Sequence, residues 1–303
     1  MTDTQINAFL AVAHHGNFTK AADSLFISEP ALSRSILLLE KELGYTLIER
    51  RKGARSQTLT SQGKQFLLIA ERWKILLTEA RNLDGDKNTE MLRIAATESF
   101  SNYLLPPVYD QCLQLRPSLH LMIDTLHTQE LHNQINLNLY DLALASWISS
   151  SKNIETRELF REKIVIVSPR GMFSEDKLHP SGLDPSREIM SSWAPDYQAW
   201  GEFWFGPDSR SRVYLRTLFH VPQFILNHNM WTFMPASAAC CVAKQYPVQI
   251  HDIINGPPDR ICYVLQNRLF RHPDAELFIQ LVREEASKLE GITLSANGQS
   301  AKN

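Results

Sequence analysis

Residues 85–90, GDKNTE, separate two hydrophobic rhythms that no single core reconciles. Before them, apolar side chains recur every three or four residues, the spacing of helices that bury one stripe. After them, short apolar runs alternate with helix-like stretches, the order of strands joined by crossover helices. At 303 residues the chain suits two or three compact units, each with its own buried core.

In the first part, Ile6, Phe9, Leu10 and Ala13 fall at helical spacing until Gly16-Asn17 interrupts them. A short second helix is expected from an N-cap at Thr19, with Ala21, Ala22 and Leu25 inward and the two alanines allowing a close helix crossing. Ser28 caps a third helix. Glu29 suits its positive end, Pro30 fits its first turn, and Gly44 ends it. Leu32, Ile36, Leu39 and Leu43 make its buried stripe, so Pro30, Ser33 and Arg34 point elsewhere. Two helices joined by a short turn, the second offering small and basic side chains near its start, form the arrangement that reads the DNA major groove.

YTLIERRKGARSQTLT follows, two strand-like stretches about Gly53 that carry Arg50, Arg51, Lys52 and Arg55, as expected of a wing lying on phosphates. The whole chain carries a formal net charge of −2, so its basic character is local and neither a polycation nor a membrane-surface protein is indicated. In residues 61–84, Phe66, Ala70, Trp73, Leu77 and Ala80 alternate spacings of three and four, which predicts a long helix seeking a partner helix. Phe66, Trp73 and Leu77 are the candidate dimerisation residues.

From Met91 the pattern reads as two α/β lobes with two chain crossings, hence a cleft between them. The expected division is 1–60 for the DNA-binding domain, 61–90 for the linker helix and hinge, and 91–290 for the two-lobed domain. Lobe I takes 91–161 and 267–290, lobe II takes 162–266, and 291–303 forms a disordered tail. Both lobes are expected to hold parallel sheets. No export signal or membrane-length apolar run is legible, and four sparse cysteines fit reduced thiols, so a cytoplasmic location is expected.

The density of agreement at Gln5, Phe9, Gly16, Phe18, Ala21-Ala22, Leu25, Pro30-Ala31-Leu32-Ser33-Arg34, Leu39-Glu40, Leu43-Gly44, Leu59-Thr60 and Gly63 resembles the LysR-type bacterial transcriptional regulators. That resemblance implies an all-α winged helix-turn-helix domain with a long linker helix, followed by a two-lobed α/β domain similar to periplasmic binding proteins. It also implies a homodimer or homotetramer on double-stranded operator DNA, controlled by a small-molecule effector in the interlobe cleft, without a cofactor or a membrane partner. Thr19, Lys20, Glu29, Pro30, Ser33, Arg34, Arg50, Arg51, Lys52 and Arg55 are the candidate DNA-binding residues. Glu29 departs from the usual Gln, and Leu37 and Leu38 from polar or basic residues. Asn138 stands where the family has a glycine and is expected to keep the left-handed turn.

The effector candidates are Thr97, Ser99, Phe100 and Ser101, whose hydroxyls and N–H groups suit an anion at a sheet edge, together with Trp147, Trp193, His228, Asn229, Met230 and Trp231. The alternative on the same architecture is a thiol redox sensor using Cys240-Cys241. An enzyme would need a phosphate loop, nucleophile elbow or HExxH helix, and none is legible. His127 and His132 lie off one helical face, so no metal site is assigned.

Overall fold

The computed structural model describes residues 1–49, 57–81, 91–149, 151–191, 195–206 and 211–296, without the side chains of residues 75, 78, 79, 81 and 195. The chain divides into two compact units, Met1–Asn88 and Thr89–Asn303.

In the first unit, α1 (Asp3–His15), α2 (Phe18–Ser24) and α3 (Glu29–Leu43) pack before a short antiparallel pair, β1 (Ile48–Glu49) with β2 (Thr58–Leu59), and the long α4 (Ser61–Arg81). Thr2 and Gln5 close a reciprocal capping box on α1, and Gly16 ends that helix at φ 62°. The cap of α2 is Asn17, not Thr19: Asn17 sits in extended backbone and its Oδ1 accepts from the Lys20 amide at 3.0 Å. Ser28 caps α3 as expected. Ile6, Phe9, Ala21, Ala22, Leu32, Ile36 and Leu39 share one core.

Phe66 belongs to that same core, 3% exposed and edge-on to Phe9 with ring centroids 5.2 Å apart. It therefore serves the unit's interior and is unavailable as a seam residue. The outward stripe of α4 is instead Ile69, Trp73 and Leu76, spaced four and three residues apart and 48%, 39% and 42% exposed, while Leu77 is half-buried.

Two fixtures join the third helix to the wing and to α4. Glu40, 8% exposed, accepts from the amides of Leu47 at 2.7 Å and Ile48 at 3.1 Å, so one carboxylate sets the path of the chain into β1. Thr60 Oγ1 donates to the Thr46 carbonyl at 2.7 Å and accepts from the Gly63 amide at 2.9 Å. A Cβ at Gly63 would stand 2.0 Å from the Leu47 carbonyl oxygen.

The second unit contains two lobes. Its larger sheet has the order β14-β6-β13-β5-β3-β4. These are β3 (Met91–Ala96), β4 (His120–Thr125), β5 (Leu142–Ala145), β6 (Ile154–Glu162), β13 (Arg260–Asn267) and β14 (Ile292–Leu294). β3 runs parallel to β4 and β5, while β13 is antiparallel to β5 and β6. A π-helical turn (Phe100–Leu104), α5 (Pro106–Leu115), α6 (Thr128–Asn136) and α10 (Ala275–Ser287) accompany it.

The smaller sheet has the order β11-β7-β12-β8, from β7 (Ile164–Pro169), β8 (Lys177–Leu178), β11 (Thr232–Pro235) and β12 (Val248–Ile253). A parallel pair, β9 (Ile189–Ser191) and β10 (Val213–Leu215), and helices α7 (Pro195–Phe205), α8 (Val221–His228) and α9 (Ala236–Gln245) complete this lobe.

Three expectations are corrected here. β13 lies in the larger sheet, paired with β5 on one side and β6 on the other, so the second crossing falls near residue 260 instead of 267. Both sheets are mixed, not parallel: β13 runs antiparallel to β5 and β6 in the larger, and in the smaller β11 and β12 run antiparallel to β7 while β12 pairs parallel with β8. The tail expected to be disordered begins with β14, which pairs with β6 from Ile292 opposite Glu162. Asn138 does adopt the left-handed backbone, at φ 56°.

Among the described residues no helix is long and apolar enough to cross a membrane. Gly63→Ala is expected to destabilise the first unit by at least about 2 kcal/mol, since the obstructing atom is backbone and cannot rotate away. Urea unfolding of the variant against the parent measures it.

Candidate functional site

The outward face of α3 can be read from its 100° step. With Leu32, Ile36, Leu39 and Leu43 inward, Pro30, Arg34, Leu37, Leu38 and Lys41 occupy the opposite side. Pro30, Arg34, Leu37 and Leu38 are exposed, and Ser33 is intermediate at the edge of that face. Thr19 and Lys20, on α2, are exposed too. Glu29 does not project independently: Thr19 Oγ1 donates to its Oε2 at 2.9 Å, tying the start of α3 to α2. Its carboxylate thus keeps its acceptor character but is held in place. Arg50, Arg51, Lys52 and Arg55 lie outside the described residues.

Phe26, in the turn between α2 and α3, is 94% exposed with φ 55°, an unusual backbone for an aromatic residue. The hydrophobic stretch around it did not single it out in the sequence.

The second candidate region is the edge of the larger sheet where β3 and β5 end and β13 begins. Thr97, Ser99, Phe100, Ser101 and Trp147 all gather near it. Ser99, 8% exposed, accepts from Arg260 Nη2 at 2.7 Å. Ser101, 7% exposed, accepts from Thr125 Oγ1 at 3.0 Å. Phe100 is a core residue: it meets Phe160 edge-on at 6.0 Å, and the Arg260 guanidinium covers its ring at 4.1 Å. Thr97 Oγ1 is buried without a hydrogen-bond partner among the described residues.

Trp147 is 40% exposed and lies against His132 with centroids 5.8 Å apart. His132 Nε2 accepts from the Ser149 amide at 3.1 Å, and burial pushes the imidazole below its usual pKa.

The lobe II candidates divide differently. Trp193 lies outside the described residues. Trp231 is fully buried in an aromatic cluster with Phe233, and its Nε1 donates to the Asp184 carbonyl at 3.1 Å. Met230 is buried among Val165, Val167 and Leu218. His228 and Asn229 are exposed, but they end α8 about 15 Å of helix beyond Leu218. β11 then returns until Pro235 faces Ile164, beside the crossing. Residues 228–231 therefore sit at the end of the lobe away from the crossing, not opposite Ser99.

What lobe I does meet was missed in the sequence. Glu98 accepts from Thr217 Oγ1 at 2.7 Å and from the Leu218 amide at 3.0 and 3.1 Å, so lobe I grips the segment that leads into α8. Glu162, with no exposed surface, ends β6 and accepts from Ser237 Oγ at 2.6 Å and the Ser237 amide at 3.2 Å, in the first turn of α9. Arg260 pairs opposite Glu162 across β13 and β6, with Nε 3.5 Å from its carboxylate. A charged residue flanking an apolar strand was the only available signal for Glu162, and such residues are ordinarily solvated.

Arg260→Met is expected to destabilise the second unit by about 3–5 kcal/mol, because the buried Glu162 charge loses its cation. Adding Glu162→Gln to that variant recovers part of the loss, and chemical denaturation of both measures it.

Comparison with known proteins follows the division into two units. Residues 4–64 match the family described as bacterial regulatory helix-turn-helix protein, lysR family, and residues 85–287 match the LysR substrate binding domain. A probable RuBisCO transcriptional regulator of Thalassiosira pseudonana is 30% identical over 191 residues, covering 61% of this chain and 59% of that protein. The HTH-type transcriptional regulator CysL of Bacillus subtilis is 28% identical over 170 residues, 54% of this chain and 55% of CysL. The chain thus spans less than two thirds of the length of these curated relatives. Among solved structures, CbnR complexed with its target DNA aligns at TM-score 0.70 with 21% identity, covering 94% of this chain and 100% of that one. A full-length OxyR from Pseudomonas aeruginosa aligns at 0.69 with 18% identity, covering 98% and 99%. At these identities the structural likeness speaks for the fold.

Proposed function

The chain belongs to the LysR family of bacterial regulatory proteins, and from that premise we propose that it is a transcriptional regulator. It binds operator DNA as a homodimer or higher homo-oligomer and responds to a small molecule held between the lobes of its second unit. The observation that carries the reading is the exposed face of α3, where Pro30 and Arg34 stand outward beside Ser33 on a helix whose opposite side is fully packed. In this reading the N-terminal part of α3 enters the major groove, with Thr19 and Lys20 at the neighbouring phosphates. Arg50, Arg51, Lys52 and Arg55 supply the wing's sequence-independent attraction. Glu29, held by Thr19, accepts from a base amino group, and Leu37 and Leu38 replace polar contacts with apolar ones. The protein acts in the cytoplasm and performs no chemistry on its ligand.

A redox reading finds less support, although OxyR is among the proteins of similar fold. Of the pair that reading would use, the Cys240 thiol is pushed up by burial, away from the thiolate that oxidation requires. Thr97, Ser99, Ser101 and Trp147 remain the lobe I candidates for effector contact, joined by Arg260. Trp193, outside the described residues, stays a lobe II candidate on the sequence alone.

Arg34→Ala is expected to weaken specific operator binding by about 1–3 kcal/mol while leaving the unfolding transition in place. Titration of labelled operator against a scrambled duplex checks it; equal loss on both would reduce Arg34 to a phosphate contact. Trp73→Asp is expected to shift the protein toward monomer by placing a charge in the Ile69–Trp73–Leu76 stripe. Sedimentation velocity reads the change, and an unaltered mass would remove α4 from the assembly interface.

A further inference from the structure

The sequence suggested that the TESFS segment offers donors to an anion. The structure reverses that polarity at its second residue. Glu98 is itself the anion, and the donors belong to the other lobe: Thr217 Oγ–H and the Leu218 N–H. Both carboxylate oxygens are used, and the acceptor and donors are 119 and 120 residues apart in the chain. A second polar chain begins one residue further along the same segment: Arg260 donates to Ser99, forms an ion pair with Glu162, and Glu162 accepts from Ser237. Glu162 is the fixed part, since it has no exposed surface and sits on the crossing strand. Glu98 leaves the end of a strand, at the start of a turn, and its bonds involve a single side chain from lobe I.

We propose that Glu98 is a latch between the two lobes, the chain's own occupant of a carboxylate seat formed by Thr217 and Leu218. Withdrawing it frees two donors aimed at the interlobe junction. The class of ligand that engages them is a small carboxylate, which makes the same hydrogen bonds without being tied to lobe I. In the effector reading above, on which this step alone rests, an effector acid switches the unit by taking the seat from Glu98. A ligand shifts the lobe arrangement only through such a difference in what it contacts in the two states. A charge-assisted bond of this type, with a partly buried carboxylate, is strong enough to bias that equilibrium.

The test uses full-length protein and hydrogen exchange at the peptide containing Leu218. Glu98→Ala is expected to raise exchange of the Leu218 amide about tenfold or more. Sodium formate restores protection in that variant, whereas chloride at the same ionic strength does not. Thr217→Val added to Glu98→Ala abolishes the rescue. Glu98→Gln, which preserves shape and one acceptor oxygen, gives intermediate protection and serves if the alanine variant fails to fold. Wild-type-like protection at Leu218 in both Glu98 variants would overturn the latch. Rescue by chloride, or rescue that survives Thr217→Val, would overturn the carboxylate seat. Operator binding is measured on the same preparations: the expected exchange pattern in a protein that binds no DNA supports the latch while removing the regulator reading.

Discussion

The second unit depends on a carboxylate with no access to water. Glu162 stands where the chain first leaves the larger sheet, and an ionised group there is tolerable only if its charge is answered from nearby. Arg260 answers it from the strand by which the chain returns, and Ser237 answers it from the first turn of the helix that follows β11. Three segments far apart in sequence are thereby referred to one point. The position of Arg260 then fixes its neighbours: its guanidinium also covers Phe100 and holds Ser99. The segment expected to present free hydroxyls to a ligand is already organised by the junction it borders.

The first unit uses the same device on a smaller scale. Glu40 gathers the amides of Leu47 and Ile48 where α3 gives way to the wing, and Thr19 holds Glu29 at the other end of α3. In the proposed function α3 is the reading helix, and such a helix needs both ends anchored if its outward side chains are to meet bases in one register. The carboxylates therefore serve as fixtures for backbone direction, and the core beneath supplies the bulk of the stability.

How much of this was legible in the sequence follows from distance along the chain. The helices of the first unit were readable because their signals are local: Ser28, Pro30 and Gly44 mark the bounds of α3, and its stripe repeats every three or four residues. The misplaced cap of α2 was a near miss between two good capping residues, decided by the extended backbone of Asn17. Phe66 was misread because a periodic stripe does not say whether it faces its own unit or a partner. β13 was placed in the wrong lobe for a related reason, since alternation identifies a strand but not the sheet that accepts it. The junction itself was closed to sequence reading. Glu98 lies within residues 97–101, a segment legible only for its hydroxyls, and its partners lie more than a hundred residues away. His228–Trp231 were proposed from loop position, yet the direction of β11 carries that loop to the wrong end of its lobe.

The π-helical turn at Phe100–Leu104 has a consequence of its own. Phe100 and Leu104 are in the core of the larger lobe, while Tyr103, between them, packs into the core of the smaller one. A turn wound with one residue more than an α-helical turn is what spreads neighbouring side chains to two hosts. Loss of a single residue in this stretch would let the turn relax to ordinary α-helical winding and draw Tyr103 away from the core of the smaller lobe. The phase between the lobes is thus written in a residue count. Among descendants of such a chain, a one-codon deletion here would alter the mutual setting of the halves more than most substitutions, while leaving the composition of both cores nearly intact.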